Sequence, residues 1–173
     1  MAKVRHHLGE FEDPLSNYEP TVYGDVLEEA LAEETVAAIQ SKPYAEISPD
    51  KTVHGALQAL AGLKVASLLV VEKGKLAGVF TERDVLERVA LRYPEVKSLP
   101  VCEVMTTNPV VVYETDPAGT ALSAIAVAGY RHVPVLDVKD RVVGVISPRR
   151  VFAFLQERYR RAVDESAAEN EIA

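Results

Sequence analysis

"GVFTERDVLERV", residues 78–89, reads as the end of a strand running through a hydroxyl residue into a helix, and the chain says nearly the same thing again at residues 144–155, "GVISPRRVFAFL". Working outward from this pair, the likeness extends in both directions. "SLLVVE" at 67–72 answers "HVPVLD" at 132–137, "ALQAL" at 56–60 answers "ALSAI" at 121–125, and "TVAAIQSKP" at 35–43 answers "VCEVMTTNP" at 101–109. The offset is 66 at the glycines and at the two "P" ends, and 65 between them. Both changes of offset fall between apolar runs, one at "SPDKTVHG" against "TDPAGT", the other at "KGK" against "VKDR". Insertions there lie in loops, where they disturb packing least. A duplicated unit of this period is the first fact about the fold, because it governs every later assignment. The two copies differ at one chemically decisive place: Asp84 in the first is Arg150 in the second.

Each copy reads as β-α-β-β-α. A short strand (45–47; 110–113) ends in Ser-Pro-Asp or Thr-Asp-Pro, residues that start helices. A helix follows with Val53, Leu57 and Leu60, or Leu122, Ile125 and Ala126, at helical spacing, and is expected to stop near Gly62 or Gly129. Two β-rich runs joined by a tight turn come next (67–71 with 76–80; 133–138 with 142–146), and a second helix begins at Thr81 or Ser147, each a suitable cap. One such unit, at about 60 residues, has a thin core, so two are expected to pair around a pseudo-two-fold axis. The fold class is therefore α/β (α+β), with an N-terminal helical extension. The extension is placed at 1–34, the first repeat at 35–92, a linker at 93–100 bounded by Pro94 and Pro100, the second repeat at 101–158, and a tail at 159–173. In the extension, Val22, Val26, Leu27, Ala30, Leu31 and Ile39 fall on one helical side, which predicts a docked helix ahead of the first repeat, with Glu28, Glu29, Glu33 and Glu34 on its solvated face.

Composition narrows the function. A net charge of −7 opposes general nucleic-acid binding, so an anionic ligand needs a local cationic cluster. The apolar runs are strand-length, far short of the roughly 20 residues of a membrane helix. "MAKVRHHLGEFEDP" does not read as a secretory signal, which gives a cytoplasmic expectation. The single Cys102 excludes an intramolecular disulfide and reads as a small filler beside Met105. His6, His7 and Glu10 could suggest a metal, but nothing in their pattern fixes them as a ligand set, and no metal is expected.

The duplicated "ALQAL…SLLVVEKGKLAGVFTERDVL" and "ALSAI…HVPVLDVKDRVVGVISPRRVF", with "VMTTNP" ahead of the second, resembles a tandem CBS-domain protein, the arrangement called a Bateman module, over residues 35 to about 157. The resemblance implies a regulatory sensor that holds an adenosine ligand (AMP, ADP, ATP, S-adenosylmethionine or a dinucleotide) in a cleft between repeats. It implies that Asp84 accepts from ribose hydroxyls and that Thr81 contacts ribose or phosphate. The chemistry fits, because a carboxylate offers acceptors to two vicinal hydroxyls. Ser147 keeps the hydroxyl in the second copy, but Arg150 is a donor only and cannot take the carboxylate's role. The two clefts are therefore expected to differ, with one adenosine site per chain around Asp84. The other cleft is empty, filled by Arg150 itself, or adapted to phosphate through Arg149 and Arg150. By the same resemblance, Ala45 and Ile47, or Pro109, Val110 and Val133, would wall the adenine. Arg131 and His132 would meet phosphate; from the residues alone, Arg131 reads equally as a surface cation and His132 as a local hydrogen-bonding group.

No cofactor is required on this reading, and no nucleophile–base pair or metal cluster accompanies Asp84, so an enzyme is not expected. The leading expectation is a homodimeric sensor that acts on an unidentified regulated protein. Val151, Phe152, Leu155 and Tyr159 on the last helix suggest packing on a second chain. The competing expectation is a ligand-free dimeric scaffold; Thr81 with Asp84 argues for the sensor.

Overall fold

A computed structural model describes residues 21–172; the reading of residues 1–20, including His6 and His7, lies outside them. The first repeat comprises β1 (Glu46–Ile47), α2 (Val53–Leu63), β2 (Ser67–Glu72), β3 (Lys75–Thr81) and α3 (Glu82–Asp84), preceded by α1 (Val26–Glu33). After α3 the helix widens into a π turn over Val85–Val89 and tightens again over Ala90–Arg92. The linker forms α4 (Tyr93–Val96), and the second repeat comprises β4 (Thr106–Thr107), β5 (Val112–Tyr113), α5 (Ala118–Ala128), β6 (Val133–Leu136), β7 (Val142–Ile146) and α6 (Pro148–Ile172). In each repeat a short strand runs parallel to the next (β1 to β2, β5 to β6), which forms an antiparallel hairpin with the third. The β2–β3 turn, Lys73–Gly74, has positive φ at both residues, the hairpin geometry that matches strand twist. The expected β-α-β-β-α order holds in both copies.

The segment that leads each repeat crosses to the other. Thr106–Thr107 pairs antiparallel with Val79 and Gly78 of β3, and Val145 of β7 donates its N–H to Ser41 O at 3.0 Å. Further upstream, Val53 N bonds Leu99 O and Val101 N bonds Lys51 O, while Ala118 N bonds Glu34 O and Val36 N bonds Asp116 O, the same pattern one repeat later. The cores follow this exchange. Val53, Leu68, Val70, Phe80 and Val89 of the first repeat pack with Val96, Val101 and Val104 from the linker and the head of the second. Val112, Val133, Val135, Ile146, Val151 and Phe154 of the second pack with Ala30, Val36 and Ile39. The repeated glycine of the opening motif is explained here. A Cβ on Gly144 would lie 2.2 Å from Ser41 Oγ, and one on Gly78 would lie 2.7 Å from Thr106 O. Each strand needs a bare position where the other repeat's leading segment passes.

Several local expectations are corrected. The N-terminal helix ends at Glu33 rather than running to Ile39: Glu34 and Thr35 are extended, because their backbone is drawn onto the start of α5. Its partners are α5 and α6 of the second repeat, and Val22 is 91% exposed. The cap of α2 is Thr52, whose Oγ1 accepts from Gly55 N at 3.1 Å, rather than the Ser-Pro-Asp ahead of it. α5 starts without a side-chain cap, and Asp116 instead accepts from Tyr113 N at 2.8 Å. The helices do stop near Gly62 and Gly129 as expected: α2 ends at Leu63, with Lys64 as its left-handed cap at φ 53°, and Gly129 caps α5 at φ 68°. Residues expected as a tail continue α6 to Ile172. Arg158 on that helix forms a bidentate ion pair with Glu34 and stacks over Phe154 at 4.7 Å, fastening α1 to α6. The Arg158 guanidinium, through its hydrogen bonds first, holds the Glu34 carboxyl below its ordinary range.

Candidate ligand site

Thr81 ends β3 and caps the helix that follows. Its Oγ1 accepts from Asp84 N at 3.3 Å, and Asp84 Oδ2 returns the favour by accepting from Thr81 N at 2.8 Å and from Thr81 Oγ1 at 2.7 Å. This reciprocal cap is what the hydroxyl and the carboxylate three residues apart are built for locally. The other carboxylate oxygen looks outward from the repeat. Asp84 Oδ1 accepts from Thr106 Oγ1 at 2.6 Å and faces Arg88 Nη1 at 3.4 Å. Arg88 also donates to the carbonyls of Val104 and Met105. Asp84 is 3% exposed, and three of the roughly four acceptor positions of its carboxylate are taken by Thr81 N, Thr81 Oγ1 and Thr106 Oγ1.

The second repeat performs the same clasp with the opposite polarity. Ser147 contributes its backbone carbonyl, which accepts from Arg150 N at 2.9 Å and Val151 N at 3.2 Å. Arg150 then donates Nη1 to the carbonyls of Ser41 and Val145 and Nη2 to Pro43 O at 2.6 Å. Where a carboxylate meets a hydroxyl of the crossing segment in the first repeat, a guanidinium meets that segment's carbonyls in the second. Partial burial pushes the Arg150 guanidinium below its ordinary value. Arg150 thus turns both of its terminal nitrogens onto backbone carbonyls, those of Ser41, Pro43 and Val145.

The remaining residues divide by position. His132 is half-buried at the head of β6; burial pushes its imidazolium down most, the Arg150 and Arg131 cations add to this, and the Glu82 carboxylate opposes it. His132, Arg131, Arg150 and Glu82 therefore share one electrostatic neighbourhood, which joins the turns of both repeats. Arg131 and Arg149 are exposed, and so is Val110, ahead of the start of β5. Pro109, Ala45 and Ile47 are half-buried; Ala45 and Ile47 pack on the first core, and Val133 is wholly inside the second. Thr106, Arg88 and Ser41 were not singled out by sequence reasoning. The only trace of Thr106 and Ser41 was a hydroxyl in "VMTTNP" and another in "AIQSKP", whose role depends on the crossing of segments far apart in the chain.

An open groove of about 650 Å³ lies between α2 and the widened helix, lined by Leu57, Leu60, Lys64, Glu82, Val85 and Leu86, and Glu82 joins it to the neighbourhood of His132. Leu86 is 73% exposed there, and Phe152, its counterpart one repeat later, is 71% exposed on α6. No cluster of metal-ligating side chains occurs among the described residues, and no described helix is long and apolar enough to cross a membrane.

Two β-α-β-β-α units exchange their leading segments, and each holds the other's segment at the turn that follows its third strand, through Asp84 in the first and Arg150 in the second. The model of the CBS-domain family matches residues 36–91 and 101–157, and the chain belongs to that family. Among curated relatives, the CBS domain-containing protein CBSCBSPB1 of Arabidopsis thaliana is 26% identical over 137 residues, 79% of this chain and 25% of its own length. The chain thus spans about a quarter of that relative. Among solved structures, CBSX2 in complex with AMP aligns with a TM-score of 0.62 at 26% identity, covering 72% of this chain and 98% of that one. The CBS domain pair of protein MJ0100, in complex with 5-methylthioadenosine and S-adenosyl-L-methionine, aligns with a TM-score of 0.59 at 25% identity, covering 72% and 97%.

Proposed function

We infer that this protein is a regulatory sensor that binds one adenosine-containing ligand per chain at the Thr81–Asp84 turn and passes the signal to a partner protein. The observation that carries the reading is the inequality of the two turns. Asp84 keeps an acceptor-only carboxylate beside a hydroxyl, whereas Arg150 has committed its donors to Ser41, Val145 and Pro43. Solved relatives hold AMP, 5-methylthioadenosine and S-adenosylmethionine, which supports an adenosine ligand here. Arg131 supplies cationic character on the side of Glu82, where a phosphate or carboxylate of the ligand would lie, and His132, whose charged form is disfavoured by burial, offers a ring N–H beside it. The chain acts without a catalytic step of its own, in the cytoplasm, as a homodimer whose contacts include the exposed Phe152 and Tyr159, joined by Leu86; Val151 and Leu155, expected at the same contact, pack on the second core instead.

The burial of Asp84 supports a second reading, a ligand-free dimeric scaffold, because a buried carboxylate with three internal hydrogen bonds also suits a purely structural clasp. Isothermal titration with AMP, ADP, ATP, S-adenosylmethionine and NADH, beside Asp84→Ala, separates them. One ligand bound per chain and lost in the variant supports the sensor; no heat from any ligand, with the protein folded and dimeric, supports the scaffold.

A further inference from the structure

The carboxylate assigned to the ligand is already in use, and its partners differ in kind. On Oδ2 both donors come from Thr81, three residues away at the same helix start. On Oδ1 the hydroxyl donor is Thr106, on a different element that belongs to the second repeat. A ribose diol needs acceptor positions, and a carboxylate has about four in all. Two are fixed by the cap of α3, and one more is held by Thr106 at 2.6 Å. We propose that Thr106 is an affinity-setting residue: its hydroxyl competes with the ligand's ribose for Asp84 Oδ1, so that ligand binding in the first repeat releases the leading segment of the second. This rests on the reading of Asp84 as the ribose acceptor.

The segment is suited to release. β4 is only Thr106–Thr107 and pairs on one side, with Gly78 and Val79 of β3. Beyond it Asn108 holds φ 50°, and Pro109 leads into the approach to β5. Loss of the Thr106–Asp84 bond therefore loosens a short edge strand whose far end joins the second repeat's sheet. Arg88 remains to hold Val104 and Met105, which keeps the upstream part of the segment in place. In the second repeat Arg150 holds its crossing segment through carbonyls and offers no acceptor to a diol, so the release operates from the first turn alone.

The test is titration of the full chain with AMP and with S-adenosylmethionine, comparing wild type, Asp84→Ala, Thr106→Val and Thr106→Ser. Valine keeps the shape of threonine without its donor, and Thr106→Ala serves as a second deletion should valine disturb folding. The expected result is about tenfold tighter binding by Thr106→Val or Thr106→Ala, the equivalent of one charge-assisted hydrogen bond no longer displaced, with Thr106→Ser close to wild type. Unchanged or weaker binding by the deletions, while Asp84→Ala loses the ligand, overturns the competition and leaves Asp84 as the ribose acceptor. Asp84→Ala binding as wild type does, or no variant binding either probe, overturns the assignment of Asp84 itself and the competition with it.

Discussion

Gly144→Ala measures how closely the exchanged segments are held. The new Cβ would sit 2.2 Å from Ser41 Oγ, 2.3 Å from Ser41 Cβ and 3.0 Å from Ser41 O. A serine hydroxyl can rotate away, but its Cβ and carbonyl move only with the backbone. Shifting that backbone strains the Val145 N–Ser41 O bond and the Arg150–Ser41 bond together. Overpacking of this kind costs about 1–3 kcal/mol, and weakening a bond to a charged donor adds about 1 kcal/mol more, so a loss of about 2–4 kcal/mol is expected. For a chain of this size that is a fall of about 5–15 °C in the melting temperature. Gly62→Ala is the internal control, since its Cβ would meet nothing within 4 Å in the last turn of α2. It should stabilise by about 0.5–1 kcal/mol through helix propensity. Both are read by urea denaturation at constant m-value. If Gly144→Ala stays within about 0.5 kcal/mol of wild type while Gly62→Ala behaves as expected, the close crossing of Ser41 over β7 is refuted.

Arg150→Asp, which would restore the acceptor of the first copy, should lower stability by about 2 kcal/mol or more and create no second site, because it sets a carboxylate against the Ser41 and Pro43 carbonyls; denaturation and binding stoichiometry read the two parts. Glu34 has its folded pKa lowered by Arg158, so its contribution is complete above the unfolded glutamate value of about 4.3 and is lost as pH falls through the lower folded value. Glu34→Gln should therefore be less stable than wild type at pH 7, with the gap closing in acid; a gap independent of pH contradicts the pairing. Phe152→Asp, at an exposed site on α6, should convert a dimer to monomer in light scattering without loss of helix content, and an unchanged mass would remove that face from the contact.

What could be read from residues alone was local or periodic. The β2–β3 hairpin is legible because "SLLVVE" and "KLAGVF" are apolar runs around a two-residue turn, and the duplication makes each assignment twice. Arg150 was legible as chemically unlike Asp84, although the carbonyls that receive it were not. Non-local choices left no such mark. The stop of α1 at Glu33 is set by backbone bonds to residues 116 and 118. β4 is too short for a period, so the hydroxyl of Thr106 acquires a meaning only once the second repeat's lead lies across the first.

The central claim is one adenosine ligand per chain, held at Asp84. Its most direct measurement is the binding stoichiometry of AMP and S-adenosylmethionine by titration calorimetry, for wild type and Asp84→Ala. The account predicts one site per chain with one of these ligands, and a loss of about tenfold to a hundredfold in affinity when the carboxylate and its roughly 1.4–2.7 kcal/mol are removed. Two equal sites per chain, or affinity indifferent to Asp84, would contradict it.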